Sequence, residues 1–188
     1  MRIFTVTGAS LLSLAMLAGL GTAPRSFASD PSLHIPQRPT TLEGDLAVLN
    51  AFVGDWEIQA TWSHGATLTG RNEYRVGTAG RFLEATTFVR DNQGPVYERY
   101  HTVFAKNPAG AGLIAYGFQF DGTSTTSTFE VAGTAELPVL KASSTMGQTE
   151  LRQTIAFENP DRYRWHVEMR PPGGAWATVM DDHWQRVR

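Results

Sequence analysis

Few residues in this sequence have the types and spacing that chemistry requires, and those few form no complete catalytic set. His64 and Asp182 fall on strand faces that alternation turns inward. There an imidazole and a carboxyl group with a burial-raised pKa would form an acid–base pair, but alternation alone does not bring them together. Asp181-x-His183 puts two metal-ligating types on one strand face. A metal site needs a third protein ligand, and the sequence offers none at a fitting spacing. His64 stands beside Gly65, so it reads either as a pocket-rim residue or as part of a solvated turn. There is no Gly-x-Ser-x-Gly elbow, phosphate-cradling loop or His-Glu-x-x-His pair, and the absence of cysteine excludes a thiol nucleophile. Gly110-Ala111-Gly112 is too short for a dinucleotide fingerprint and leads into a strand rather than a helix.

The remaining candidates suit holding a molecule rather than transforming it. Trp62, Tyr74, Tyr116, Phe118 and Trp165 offer flat apolar walls, Met180 a polarizable one, and His64, Gln153 and Asp182 polar groups to orient a ligand. The same aromatics would equally serve as the filling of a solid core.

These side chains need strands to position them. Ahead of the strands, Thr40-Thr41-Leu42-Glu43 spells a capping box, and Leu42, Leu46, Leu49 and Phe52 follow at helical spacing up to Gly54. From Asp55 the period drops to two, with strands expected at 56–63, 67–76, 81–90, 96–105, 113–120, 124–132, 134–143, 150–158, 162–170 and 176–187. Gly-, Asn- and Pro-rich turns separate them, too short for crossovers, which points to an up-and-down antiparallel barrel. Pro138, inside an expected strand, marks a bulge or a barrel seam. Alternation turns inward Trp56, Ile58, Ala60 and Trp62; Leu68, Tyr74 and Val76; Ile114, Tyr116, Phe118 and Phe120. Further along it selects Leu151, Gln153, Ile155 and Phe157; Tyr163, Trp165, Val167 and Met169; and Trp176, Thr178, Met180, Asp182, Trp184 and Arg186. The strands at 81–90 and 96–105 leave both faces open.

Gly54-Asp55-Trp56 on the first strand and Trp184-Gln185-Arg186 on the last supply a structural staple, in which the Trp56 indole fills the barrel floor under the Arg186 guanidinium. That arrangement resembles the calycins, the superfamily of lipocalins, fatty-acid-binding proteins and nitrobindin-like haem barrels, and most of all secreted calycin-like proteins with a domain of unknown function. The resemblance spans residues 42–188. It implies an all-β barrel of about ten antiparallel strands with a short N-terminal capping helix, serving a small hydrophobic or amphipathic ligand. A nitrobindin-like barrel would hold haem on an inward histidine, but that family's glycine-rich opening motif is missing after Trp56, so no cofactor is expected and haem is the lesser alternative.

The N-terminus reads as an export signal. Arg2 is followed by an apolar run from Leu11 to Leu20, and Ser26-Phe27-Ala28 fits signal peptidase, giving a signal peptide over 1–28 and a Pro-rich linker over 29–41. An uncleaved anchor is the alternative, although Thr5, Thr7, Ser10 and Ser13 thin the hydrophobicity. Losing Arg2 and Arg25 takes Lys+Arg from 16 to 14 against 18 Asp+Glu, a mature formal charge of −4. Such a chain, without a basic run, suits neither nucleic acid nor membrane insertion once the signal is gone. With no disulfides, stability must come from the core. The leading expectation is an exported, periplasmic or extracellular binding protein. A cavity-barrel isomerase, cyclase or hydrolase and a solid-barrel envelope interaction protein are the alternatives, and nothing in the sequence marks an oligomeric state. N-terminal sequencing of the exported protein should find Ser29 or a near neighbour first; Met1 retained in a membrane pellet would overturn the assignment.

Overall fold

The computed structural model describes residues 39–61, 65–91 and 94–188; the export segment, most of the Pro-rich linker, Trp62 and His64 lie outside the described residues. A 3₁₀ helix, Gly44–Phe52, precedes ten strands: β1 (Gly54–Thr61), β2 (Thr67–Val76), β3 (Leu83–Asp91), β4 (Tyr97–Lys106), β5 (Leu113–Gln119), β6 (Ser124–Gly133), β7 (Pro138–Met146), β8 (Thr149–Asn159), β9 (Arg162–Arg170) and β10 (Ala177–Arg186). Each pairs antiparallel with its neighbours in the chain, and β1 meets β10 to close the barrel. Pro138 opens β7 opposite Gly133 instead of interrupting a strand. A first position suits a residue with no N–H to give to the ladder.

The expected capping box is not formed. Glu43 caps the helix without a side-chain hydrogen bond. Instead Asn50 closes the segment on itself: its Oδ1 accepts from the Leu42 N–H at 2.8 Å and its Nδ2 donates to the Leu42 carbonyl at 2.9 Å. The apolar spacing does its work nonetheless, since Leu42, Leu46, Leu49 and Phe52 are all buried. Phe52 meets the rings of Tyr74, Phe157 and Tyr163 at 5.4, 4.8 and 5.5 Å between centroids, so the helix closes one end of the barrel.

Beneath it Trp56 is wholly buried and donates its indole N–H to the Phe52 carbonyl at 2.7 Å. The Arg186 guanidinium lies 4.2 Å from the Trp56 ring centroid. It donates through Nη1 to Val53 O and through Nη2 to Ala51 O, both at 2.7 Å. Gly54 is required where the chain turns from helix into β1: its φ is +125°, and a Cβ there would sit 2.8 Å from Arg186 Nη1.

Two sets of facings depart from simple alternation. On β5 the buried residues are Leu113 and Ala115, while Tyr116 and Phe118 stand on the outer surface, 39% and 51% exposed, with Phe120 beyond them at 64%. On β10 the register shifts between Thr178 and Met180, a bulge that reverses the parity of everything before it. Met180 and Trp184 therefore point inward, whereas Trp176 packs on the outside against the guanidinium groups of Arg152 and Arg170, 4.3 and 5.0 Å from its ring. The strands that alternation left open resolve with Leu83, Ala85 and Val89 inward on β3 and Phe104 inward on β4, and a second register shift at Thr87/Phe88 lies between them.

The outer surface of β8 to β10 carries the ion pairs Arg152–Glu168 and Arg164–Asp181, and His183 Nε2 lies within hydrogen-bond distance of Glu158 Oε1, at 2.9 Å. Asp181 and His183 thus serve different partners. Removing the indole in Trp56→Ala should cost about 3 to 5 kcal/mol through the cavity it leaves. Arg186→Ala, which strands the carbonyls of Ala51 and Val53 and releases the exposed Pro160 carbonyl and Asp161, should cost about 2 kcal/mol. Urea melts measure both, and a wild-type midpoint for either variant would contradict this account of the floor.

Candidate functional site

A cavity of about 190 Å³ opens inside the barrel above the helix-closed end. Its existence follows from side-chain size. Gly70 on β2, Thr102 on β4, Ala115 and Gly117 on β5, and Thr125 and Ser127 on β6 all turn inward, and none reaches the axis. Leu68, Val89, Phe104, Phe129, Ile155 and Trp184 form the apolar remainder of the wall. Gly70 has no room to be larger, because a Cβ would meet Ile58 Cγ2 at 2.9 Å and Trp184 Cη2 at 3.2 Å.

Polar groups occur at three levels. Nearest the helix, Asn72 donates through Nδ2 to the hydroxyls of Tyr74 and Tyr163 at 3.2 and 3.4 Å, and the two hydroxyls are 3.3 Å apart. Burial raises the Tyr74 pKa to about 12 and pushes that of Tyr163 well above the ordinary phenol value, so both stay neutral. Midway, Gln153 accepts the Trp165 indole N–H at 3.1 Å, leaving its amide nitrogen on the wall. At the rim stands Arg99, the one charged side chain among the described lining residues, displaced toward the cavity by the bulge between β3 and β4. It donates to the hydroxyls of Tyr100 and Tyr97, each at 2.8 Å, and Tyr97 donates in turn to Asp91 at 2.7 Å. The exposed Phe120 ring lies 5.8 Å from the guanidinium.

Of the residues that the sequence nominated for ligand binding, Tyr74, Gln153 and Trp165 line this cavity. Met180 is buried beside it without lining it. Asp182 sits half-buried at the β1–β10 seam, where its carboxylate accepts the Thr61 backbone N–H. Desolvation, followed by the neighbouring Asp181 charge, raises its pKa. Tyr116 and Phe118 are on the opposite side of the wall, so they are corrected from lining to outer surface. Trp62 and His64 lie outside the described residues. Asn72 and Arg99 were not nominated. Asn72 shares parity with Leu68 and Tyr74, and a lone amide in that inward row was a readable signal; Arg99 was hidden by a bulge that alternation cannot anticipate.

No family profile and no curated protein matches the sequence. Solved structures do match. Rv2717c from M. tuberculosis aligns with a TM-score of 0.62 at 13% identity, over 78% of this chain and 99% of that one. The S-type phycobiliprotein lyase CPES from Guillardia theta gives 0.47 at 11% identity, over 74% and 90%. A de novo designed fluorescence-activating β-barrel gives 0.42 at 14% identity, over 77% and 100%. At these identities it is the ten-stranded barrel that is shared, and the first likeness carries that statement.

The buried phenols give the protein an alkaline signature. Because Tyr74 and Tyr163 hold their protons to higher pH when folded than when unfolded, stability is complete below about pH 10 and falls as pH rises toward about 12. An absorbance titration should show two of the five tyrosines ionising only as the barrel unfolds. Reversible ionisation of all five in the folded state would contradict their burial.

Proposed function

We propose that this protein is an exported, calycin-like barrel that binds a compact hydrophobic or amphipathic small molecule in its interior. The observation that carries the reading is the arrangement of small inward residues around one cavity while β5 turns its tyrosine and phenylalanine outward. A cavity of about 190 Å³ walled by short side chains forgoes the packing contacts that larger inward side chains would make. A core selected only for stability would turn those rings inward and fill it. Size narrows the occupant. An engineered cavity of about 150 Å³ holds benzene, and drug-sized ligands use about 300 Å³ or more, so one or two fused rings fit here and a tetrapyrrole does not.

The lining favours binding over catalysis. Among the described residues it contains no carboxylate or imidazole, and the candidate base Asp182 is engaged at the seam instead. Export rests on the Leu11–Leu20 run and Ser26-Phe27-Ala28.

Naphthalene-sized aromatic probes should bind at about 10 μM, about −7 kcal/mol, quench tryptophan emission through Trp165 and Trp184, and raise the melting temperature with ligand excess. Ser127→Phe, projecting into the cavity, should weaken binding at least about tenfold, and Tyr116→Glu on the outer surface should leave it unchanged. Absence of any response to a panel of such probes would overturn the reading, as would equal loss in both variants.

A further inference from the structure

The deepest polar group in the cavity has one edge without a partner. Asn72 is only 7% exposed, and its Nδ2 is committed to the two tyrosine hydroxyls. Its Oδ1 is buried and accepts no hydrogen bond. Buried amide oxygens are ordinarily paired, and one left open beside a cavity is a group whose partner arrives with the occupant. The surroundings restrict what that partner is. Tyr74 and Tyr163 are neutral hydroxyls, and among the described residues no charged side chain lines this level, the guanidinium of Arg99 being at the rim. An anionic end placed here would face a carbonyl oxygen without a compensating cation, and a cationic end would be desolvated without a carboxylate. The apolar wall above, including Phe104, Phe129 and Trp184, accommodates the body of a flat molecule.

We infer that the ligand is a neutral one- or two-ring aromatic molecule carrying an N–H or O–H group, of the phenol or indole class, and that it inserts this group first and donates it to Asn72 Oδ1. The inference rests on the reading of the cavity as a ligand site and adds its selectivity. A ligand of the same shape without the donor leaves the carbonyl unpaired and pushes aside any water that would serve it, which is how a hydrogen-bonding site rejects an isostere.

The test uses the mature protein and three probes, 2-naphthol, its isostere 2-methylnaphthalene, and 2-methoxynaphthalene, which is one heavy atom longer, titrated at neutral pH by calorimetry and tryptophan fluorescence. The donor-bearing naphthol should bind at least about tenfold tighter than either analogue, and in Asn72→Leu, which keeps the branched outline of the side chain and removes the amide, the three affinities should converge. Equal binding of all three to the wild type would overturn the donor requirement while leaving the ligand site standing. Preference for the methoxy compound would overturn it by showing a floor that donates. Failure of all three to bind would remove both the inference and the site beneath it. Should Asn72→Leu not fold, the wild-type series alone decides.

Discussion

The position of Arg186 is the constraint from which the rest of this barrel follows. One guanidinium covers the Trp56 indole and ties down the carbonyls of Ala51 and Val53 just before Gly54, so the end of β10, the start of β1 and the helix become a single unit. Burial lowers the pKa of Arg186, partly offset by Asp161. A desolvated cation is tolerated there because backbone carbonyls and an indole face take the place of water. With that end sealed by Trp56, Phe52, Phe157 and Tyr163, any space inside the barrel must lie on the other side of the Tyr74–Tyr163 layer.

That space is a matter of side-chain choice rather than of strand number. Ten strands enclose more volume than glycine, alanine, serine and threonine can fill, and β2, β4, β5 and β6 place such residues opposite one another. Gly117 is walled by Thr125 Oγ1 and Thr102 Oγ1, 2.8 and 3.8 Å from where its Cβ would be, so the short side chains are packed among themselves and the gap lies between this patch and the Trp165–Trp184 wall. Polar groups punctuate the gap at its floor, middle and rim, each tied to a neighbour that fixes its orientation, and the carbonyl edge of Asn72 is buried without a partner.

Much of the fold was legible from turns and period, because a hairpin barrel repeats one local rule ten times. Strands β2 and β9 occupy the residues expected, and the others differ by a few positions at their ends. What alternation could not supply was parity where the chain breaks step. The bulge before Met180 moved Trp176 outside, and the shift at Thr87/Phe88 left Arg99 unassigned. On β5 the error had a different origin: two apolar sets alternate, and the larger was given to the interior by the habit of filling cores with rings. A hollow barrel inverts that habit, so Ala115 and Gly117 mark its interior. Tyr74, Gln153 and Trp165 were legible as inward residues because their strands keep regular parity near them. The helix cap misled because Asn50, eight residues away from Leu42, offers a closer closure than Glu43 does.

Among the described residues the seam between β1 and β10 registers Trp56 with Arg186 and Glu57 with Gln185, against eight residue pairs between β1 and β2. Every other ladder joins strands adjacent in the chain and closes a short loop, while the seam brings Arg186 to Val53 across 133 residues. Loop-closure entropy grows slowly with length, so this contact is not costly at equilibrium, although it has the longest sequence separation of the ladders. The seam is what leaves the sheet without an edge: it is the ladder that covers the outer side of both β1 and β10, and an unpaired edge is the surface through which one chain would pair with another.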